Sequence, residues 1–163
     1  MPALRRLDPA RAAEHLPRLY RAARAWTRSR EEAEDLVQET YARVFARPRL
    51  LRNEDEVGCL LRALRNTLIS QRRAQARRPA TTELIDEVAI GTPGSDDPSE
   101  AAEVRQVYAA INQLPDEFRD ALVAVDVAGL SYDEAARALG VPEGTVTSRL
   151  FRARDRVARL LRP

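Results

Sequence analysis

The sequence predicts an all-α protein made of two small helical domains, residues 1–79 and 104–163, joined by a flexible acidic linker, residues 80–103. Three observations carry this. Hydrophobic residues make up 44% of the 163 residues but aromatics only 5%, and a chain rich in Ala, Leu and Arg favours helices over sheets. Apolar residues recur at spacings of three and four, opened by capping signatures and closed by Pro or Gly. Charge is divided along the chain. Residues 1–80 hold 18 Arg against 10 acids, residues 81–103 hold seven acids and no Arg, and residues 104–163 hold nine Arg against eight acids.

A first helix is expected from about Pro9 to Trp26, with Leu16, Leu19, Tyr20, Ala23 and Trp26 at helical spacing. The next is announced by Ser29 and Glu32, a capping box, and carries Leu36, Val37, Tyr41, Val44 and Phe45 on its core face. Pro48 ends it, and "RPRLLRNEDE" forms a loop. A third helix starts near Asn53, with Glu56 three residues on, and extends to Arg78 before Pro79. Trp26 and Cys59 read as core. The stretch "TTELIDEVAIGTPGSDDPSEAAE" collects Gly, Pro, Ser and acids without lasting periodicity, which is a linker signature.

In the second domain a helix covers roughly Glu100–Leu114, and another runs from Pro115, a good first helical residue, to Ala128, ended by Gly129. Ser131 and Glu134 form a second capping box over a short helix that stops at Gly140. After "GVPE" the last helix runs to about Leu161 on an apolar stripe of Val146, Leu150, Ala153, Val157 and Leu160. A short capped helix, a glycine turn and a second helix make the helix-turn-helix pattern.

Composition excludes several functions. All 27 basic residues are Arg, so there is no lysine for a phosphate-binding loop or a Schiff base. One cysteine (Cys59) and one histidine (His15) make neither a disulfide nor a zinc site by themselves, and a Ser-His-Asp triad would depend on His15 alone. No catalytic residue, metal or cofactor is expected. With no apolar run near the roughly 20 residues of a membrane span and no apolar leader, the chain reads as cytoplasmic.

Three helix faces could meet partners. On the last helix Thr145, Ser148, Arg149, Arg152 and Arg156 lie away from the stripe, and residues 144–163 hold six Arg against one acid. Arg can bond bidentately to guanine, and hydroxyls reach bases or phosphates; a solvated basic helix is the plainer reading. On the third helix Arg62, Arg65, Asn66 and Arg73 lie opposite Leu60, Leu64 and Leu68, a basic track suited to separated strands. On the second, Asp35, Gln38 and Glu39 share one face. That face could equally be an ordinary solvated acidic patch.

"EAEDLVQETYARVF", "LLRALRNTLISQRR" and "LPDEFRDALVAVDVAGLSYDEAARALGVPEGTVTSRLFRARDRVARLL", in that order, resemble the extracytoplasmic-function class of bacterial RNA polymerase sigma factors over nearly the whole chain. The resemblance implies a sigma-2-like helical bundle and a sigma-4-like helix-turn-helix domain. Asp35, Gln38 and Glu39 would bind the β′ clamp helices of core RNA polymerase, whose β flap is a further partner. Arg65, Asn66 and the preceding loop would read and melt the downstream (−10) element, with Asn53 as candidate for holding the flipped base, although Asn53 also reads as an N-cap. Thr147, Ser148, Phe151 and Arg152 would contact the upstream (−35) element, with Arg149 and Arg154 on phosphates. A linker threading the RNA exit path, near Asp96, and control by a separate anti-sigma factor are further implications. Two other functions stay open: a stand-alone helix-turn-helix regulator, and a sigma mimic that sequesters an anti-sigma factor.

Overall fold

A computed structural model of the chain describes residues 5–47, 50–51, 55–78 and 98–163. Among these, β1 (Arg5–Arg6), α1 (Pro9–Glu14), α2 (Leu16–Trp26), α3 (Arg30–Ala46), β2 (Leu50–Leu51) and α4 (Glu56–Ala76) form the first domain. The expected first helix is two helices. Pro17, at the start of α2, has no N–H to donate back to the carbonyl of Ala13, so the helix breaks at His15. Asp8 caps α1 by accepting from the Ala10 N–H at 3.0 Å.

Ser29 accepts from the Glu32 N–H at 3.1 Å, as the capping signature requires, while the Glu32 carboxylate accepts from Arg28 rather than from Ser29. Leu36 and Val37 are buried on α3, but Phe45, expected in the core, is 38% exposed and meets Tyr41 at a centroid distance of 5.9 Å. It lies in the last turn of the helix. Part of the expected loop is the strand β2, which pairs antiparallel with β1 in the register Arg5↔Leu51 and Arg6↔Leu50. α4 begins at Glu56 with Asp55 as N-cap; Asn53 lies outside the described residues. Cys59 is half-buried rather than fully in the core.

The second domain holds α5 (Pro98–Asn112), α6 (Asp116–Leu122), a π-helical turn (Val123–Val127), α7 (Tyr132–Leu139) and α8 (Glu143–Leu161). α5 begins inside the stretch read as linker. The expected helix from Pro115 to Ala128 is α-helical only to Leu122; the π turn takes up an extra residue, and Gly129 follows with φ +76°. The capping box of α7 is complete, with Glu134 N–H to Ser131 Oγ at 3.1 Å and Ser131 N–H to the Glu134 carboxylate at 2.8 Å. Gly140 closes α7 in the left-handed conformation, φ +68°, open to glycine at little cost. Val146, Leu150 and Ala153 are buried on α8, whereas Leu160, expected on the stripe, is 45% exposed because the helix end runs past the body that covers the rest.

The two domains pack on each other. α2 lies against α5 and the π turn, and α4 against α7. A continuous core runs from Trp26, Leu36, Leu61 and Leu64 to Leu122, Val123, Val146 and Leu150. Polar ties cross the same seam: Arg24 lies over the Tyr108 ring at 5.2 Å, and Arg137 pairs with Asp55 at 3.2 Å. A smaller core of Ala12, Leu19 and Leu60, with Leu7, Tyr41 and Val44 against it, holds α1 to the first domain.

Candidate nucleic-acid interface

α7, the turn at Gly140–Pro142 and α8 present one side of α8 to solvent. Thr147, Ser148, Phe151, Arg152 and Arg154 are exposed and Thr145 and Arg149 half-buried, while Val146, Leu150 and Ala153 hold the helix down. Phe151 is 75% exposed, which an apolar ring tolerates best when something else covers it. The hydroxyls of Thr147 and Ser148 donate to the carbonyls of Glu143 and Thr145, both at 3.1 Å, and keep their lone pairs outward. Arg154 is gripped by Asp126, from Nε at 2.9 Å and Nη2 at 2.7 Å, and this hydrogen bonding holds its guanidinium protonated more firmly than usual. Arg149 is 3.7 Å from Glu117, and Arg156 lies over the Phe118 ring at 4.9 Å. Arg152 has no such partner among the described contacts and extends from the exposed face.

On α4, Arg62, Asn66 and Arg73 are exposed on the side away from Leu60, Leu64 and Leu68, as their spacing predicts. Arg65 shares that side but is engaged, donating from Nε to Asp120 of α6 at 2.8 Å; the same carboxylate accepts from Trp26 Nε1 at 3.0 Å. Asp120 therefore ties α2 and α4 of the first domain to α6 of the second.

On α3, Asp35 and Gln38 are exposed. Glu39, half-buried, accepts from Gln71 at 2.7 Å and from Arg43 at 2.6 Å. The Gln71 hydrogen bond holds the Glu39 carboxyl below the usual carboxylate range against the opposing effect of burial. A groove of about 740 Å³ runs past this face, lined by Asp35 and Glu39, by Gln71 and Arg72, and across the seam by Asp116 and Arg119. Two of the polymerase-binding candidates, Asp35 and Glu39, thus face the second domain across open space.

Residues 12–78 match the family model for sigma-70 region 2, and residues 104–157 the model for sigma-70 region 4. The chain belongs to the extracytoplasmic-function sigma factors of the sigma-70 family. It is 35% identical over 156 residues to the ECF RNA polymerase sigma factor SigE of Mycolicibacterium smegmatis, covering 88% of this chain and 57% of that one. It is 38% identical over 149 residues to SigM of Mycobacterium tuberculosis, covering 90% of this chain and 73% of that one. Its fold is similar to that of the sigma factor RpoE in complex with the anti-sigma factor NepR from Bartonella quintana. There the TM-score is 0.71 at 27% identity, over 93% of this chain and 94% of the other. It also resembles CnrH in complex with the cytosolic domain of CnrY, with a TM-score of 0.66 at 22% identity, covering 93% and 85% of the two chains.

Several residues that shape this sigma factor's faces escaped the sequence. Asp120 and Asp126 look like ordinary surface acids until their arginine partners, 55 and 28 residues away, are known. Arg119 is buried, and its guanidinium donates to the carbonyls of Ile111, Asn112 and Leu114, closing the end of α5. No helix among the described residues is long and apolar enough to cross a membrane.

Proposed function

We propose that this sigma factor is the dissociable subunit that directs core RNA polymerase to promoters and helps to melt them. It acts in the cytoplasm by binding rather than by catalysis. One observation carries the reading: a single chain of the sigma family joins an exposed acidic helix face to two separate arginine-rich helix faces. Asp35, Gln38 and Glu39 of α3 fit basic residues on a clamp helix. Arg62, Arg65, Asn66 and Arg73 of α4 fit the backbone and bases of a separated strand. Thr145, Thr147, Ser148, Phe151 and Arg152 of α8 fit a major groove, with Arg149 and Arg154 towards phosphates.

RpoE and CnrH were each solved with a protein partner, an anti-sigma factor in the case of RpoE. A separate protein of that class is the regulator assigned here. The exposed arginine face of α8 favours a DNA reader over a mimic that merely sequesters such a partner. Reconstitution with core polymerase tests the reading. The holoenzyme is expected to select DNA with two separated elements, and permanganate is expected to modify unpaired thymines at the downstream one. Ala at Arg65 and Asn66 is expected to reduce that reactivity while leaving upstream-element binding intact. Failure to co-purify with core polymerase would overturn it.

A further inference from the structure

Of the three polymerase-binding candidates on α3, only Glu39 has its side chain held by others among the described residues. Oε1 accepts from Arg43 Nη2 at 2.6 Å and Oε2 from Gln71 Nε2 at 2.7 Å. Asp35, one turn earlier, and Gln38 are exposed. The two holds on Glu39 differ in kind. Arg43 lies four residues along the same helix, and its side chain and that of Glu39 are 51% and 41% exposed. An ion pair so open to water is worth little, and the guanidinium offsets the charge it holds. Gln71 comes from α4, whose Leu64 and Leu68 share a core with Leu36 and Val37 of α3. It is half-buried, so its amide is presented from a packed helix. A carboxylate only accepts, which turns the NH2 end of that amide towards it. The amide is uncharged, and it orients Glu39 without neutralising it.

A tie between neighbouring helices would serve stability, but apolar residues at the two positions would do that as well. Glu39 and Gln71 instead line the groove that runs past Asp35. Arg72 and Arg78 of α4 share that groove, as do Asp116 and Arg119 across the seam. The Gln71 hydrogen bond is the largest influence on the Glu39 carboxyl and holds it below its ordinary range. Burial opposes it, and Arg43 adds a smaller push the same way.

We propose that Gln71 is the positioning residue for the Glu39 carboxylate in the contact with core polymerase. The helix assigned to the separated strand thereby also sets the geometry of the polymerase-binding face. The proposal rests on the reading that the α3 face meets polymerase. A carboxylate already fixed in direction loses less freedom when a basic partner arrives, so Gln71 strengthens binding without touching polymerase.

The test titrates core RNA polymerase with the full chain as wild type, Gln71→Met, Gln71→Ala, Gln71→Glu, Glu39→Ala, Asp35→Arg and the double variant of Glu39→Ala with Gln71→Met. Gln71→Met keeps the length and helix propensity of the side chain and removes the donor. It is expected to weaken binding roughly three- to tenfold. Gln71→Glu, which sets a second carboxylate against the first, is expected to weaken it further. In the Glu39→Ala background Gln71→Met is expected to cause no additional loss. The wild-type advantage over Gln71→Met is expected to widen as pH falls from about 7 to about 5, because without its donor Glu39 takes up a proton at higher pH. Circular dichroism checks the fold, and if Gln71→Met does not fold, Gln71→Ala decides in its place. Unchanged affinity in folded Gln71→Met overturns the positioning role, as does a loss that persists undiminished without Glu39 or is the same at every pH. Weakened binding by Glu39→Ala then leaves the polymerase reading standing. Unchanged affinity in Glu39→Ala also overturns the positioning role, and unchanged affinity in Asp35→Arg as well overturns both.

Discussion

At the scale of single residues, two arginines one helical half-turn apart on α8 have different prospects. Arg152 is exposed and has no partner among the described residues, so its guanidinium is available to a guanine edge. Arg152→Ala is expected to cost about 1–3 kcal/mol, chiefly on fragments carrying the preferred upstream base. Arg154 is already paired with Asp126, whose negative charge offsets its pull on a phosphate. Arg154→Ala is therefore expected to weaken all fragments alike and to lower the salt dependence by clearly less than about one unit of slope. Asp126→Asn is expected to strengthen all fragments and steepen that slope. Competition assays across salt concentrations on wild-type and base-substituted fragments check all three. Tyr41, whose hydroxyl donates to the Ala12 carbonyl, offers a test of how α1 is held. Burial pushes its hydroxyl from 10.0 up to about 12. Its neutral form is thus favoured in the fold, and the stability it adds is complete below about pH 10 and lost as pH rises through about 12. The thermal midpoint is expected to fall over that window, less steeply in Tyr41→Phe. The remaining decline reflects Tyr20 and Tyr108, which burial shifts the same way.

At the scale of elements, α3 and α7 show what local chemistry determines. Asp35 is exposed on α3, so Asp35→Arg is expected to abolish co-purification with core polymerase while shifting stability by no more than about 0.5 kcal/mol. It isolates the interface better than a change at Glu39, whose bonds to Gln71 and Arg43 a reversal would break. Among the described residues nothing lies within 4 Å of a Cβ placed on Gly140, so Gly140→Ala meets only backbone strain at φ +68°. It is expected to cost about 1–2 kcal/mol in urea unfolding and to weaken upstream binding no more than that. The caps at Ser29 and Ser131 and the stop at Gly140 were legible because caps and breakers act within a few residues. The break at His15 was also legible in principle, since Pro17 cannot continue the hydrogen-bond ladder. The β1–β2 ribbon was not, because two residues on each strand show no period and their pairing spans some 45 residues. The exposed face of α8 could be read from its own apolar stripe. The partner of Arg154 could not, because it depends on how the π turn lies against α8.

At the scale of the molecule, the seam between domains decides what the chain can do in this arrangement. A compact body of this length has a radius of gyration of about 15 Å. Elements about 25 base pairs apart lie roughly 85 Å apart at about 3.4 Å per base pair. If α4 and α8 engage the two elements as proposed, the shared core from Trp26 to Leu150 has to part first, and Arg65 has to leave Asp120. Asp120 carries two of the polar ties, from Trp26 and Arg65, and is the point at which the seam is weakened without emptying the core. Charge-assisted hydrogen bonds contribute about 1.5–3 kcal/mol, and a change of that size shifts a closed-to-open ratio by roughly 10- to 150-fold. Asp120→Ala is thus expected to raise the radius of gyration in small-angle scattering and to speed holoenzyme assembly and permanganate reactivity at the downstream element. Each domain's own helices are expected to be retained by circular dichroism. Trp26→Phe, which removes one of the two ties but keeps the ring in the core, is expected to fall between wild type and Asp120→Ala. Unchanged scattering and assembly in both variants would mean that the apolar seam alone sets the closed state, and that Arg65 leaves Asp120 at no measurable cost.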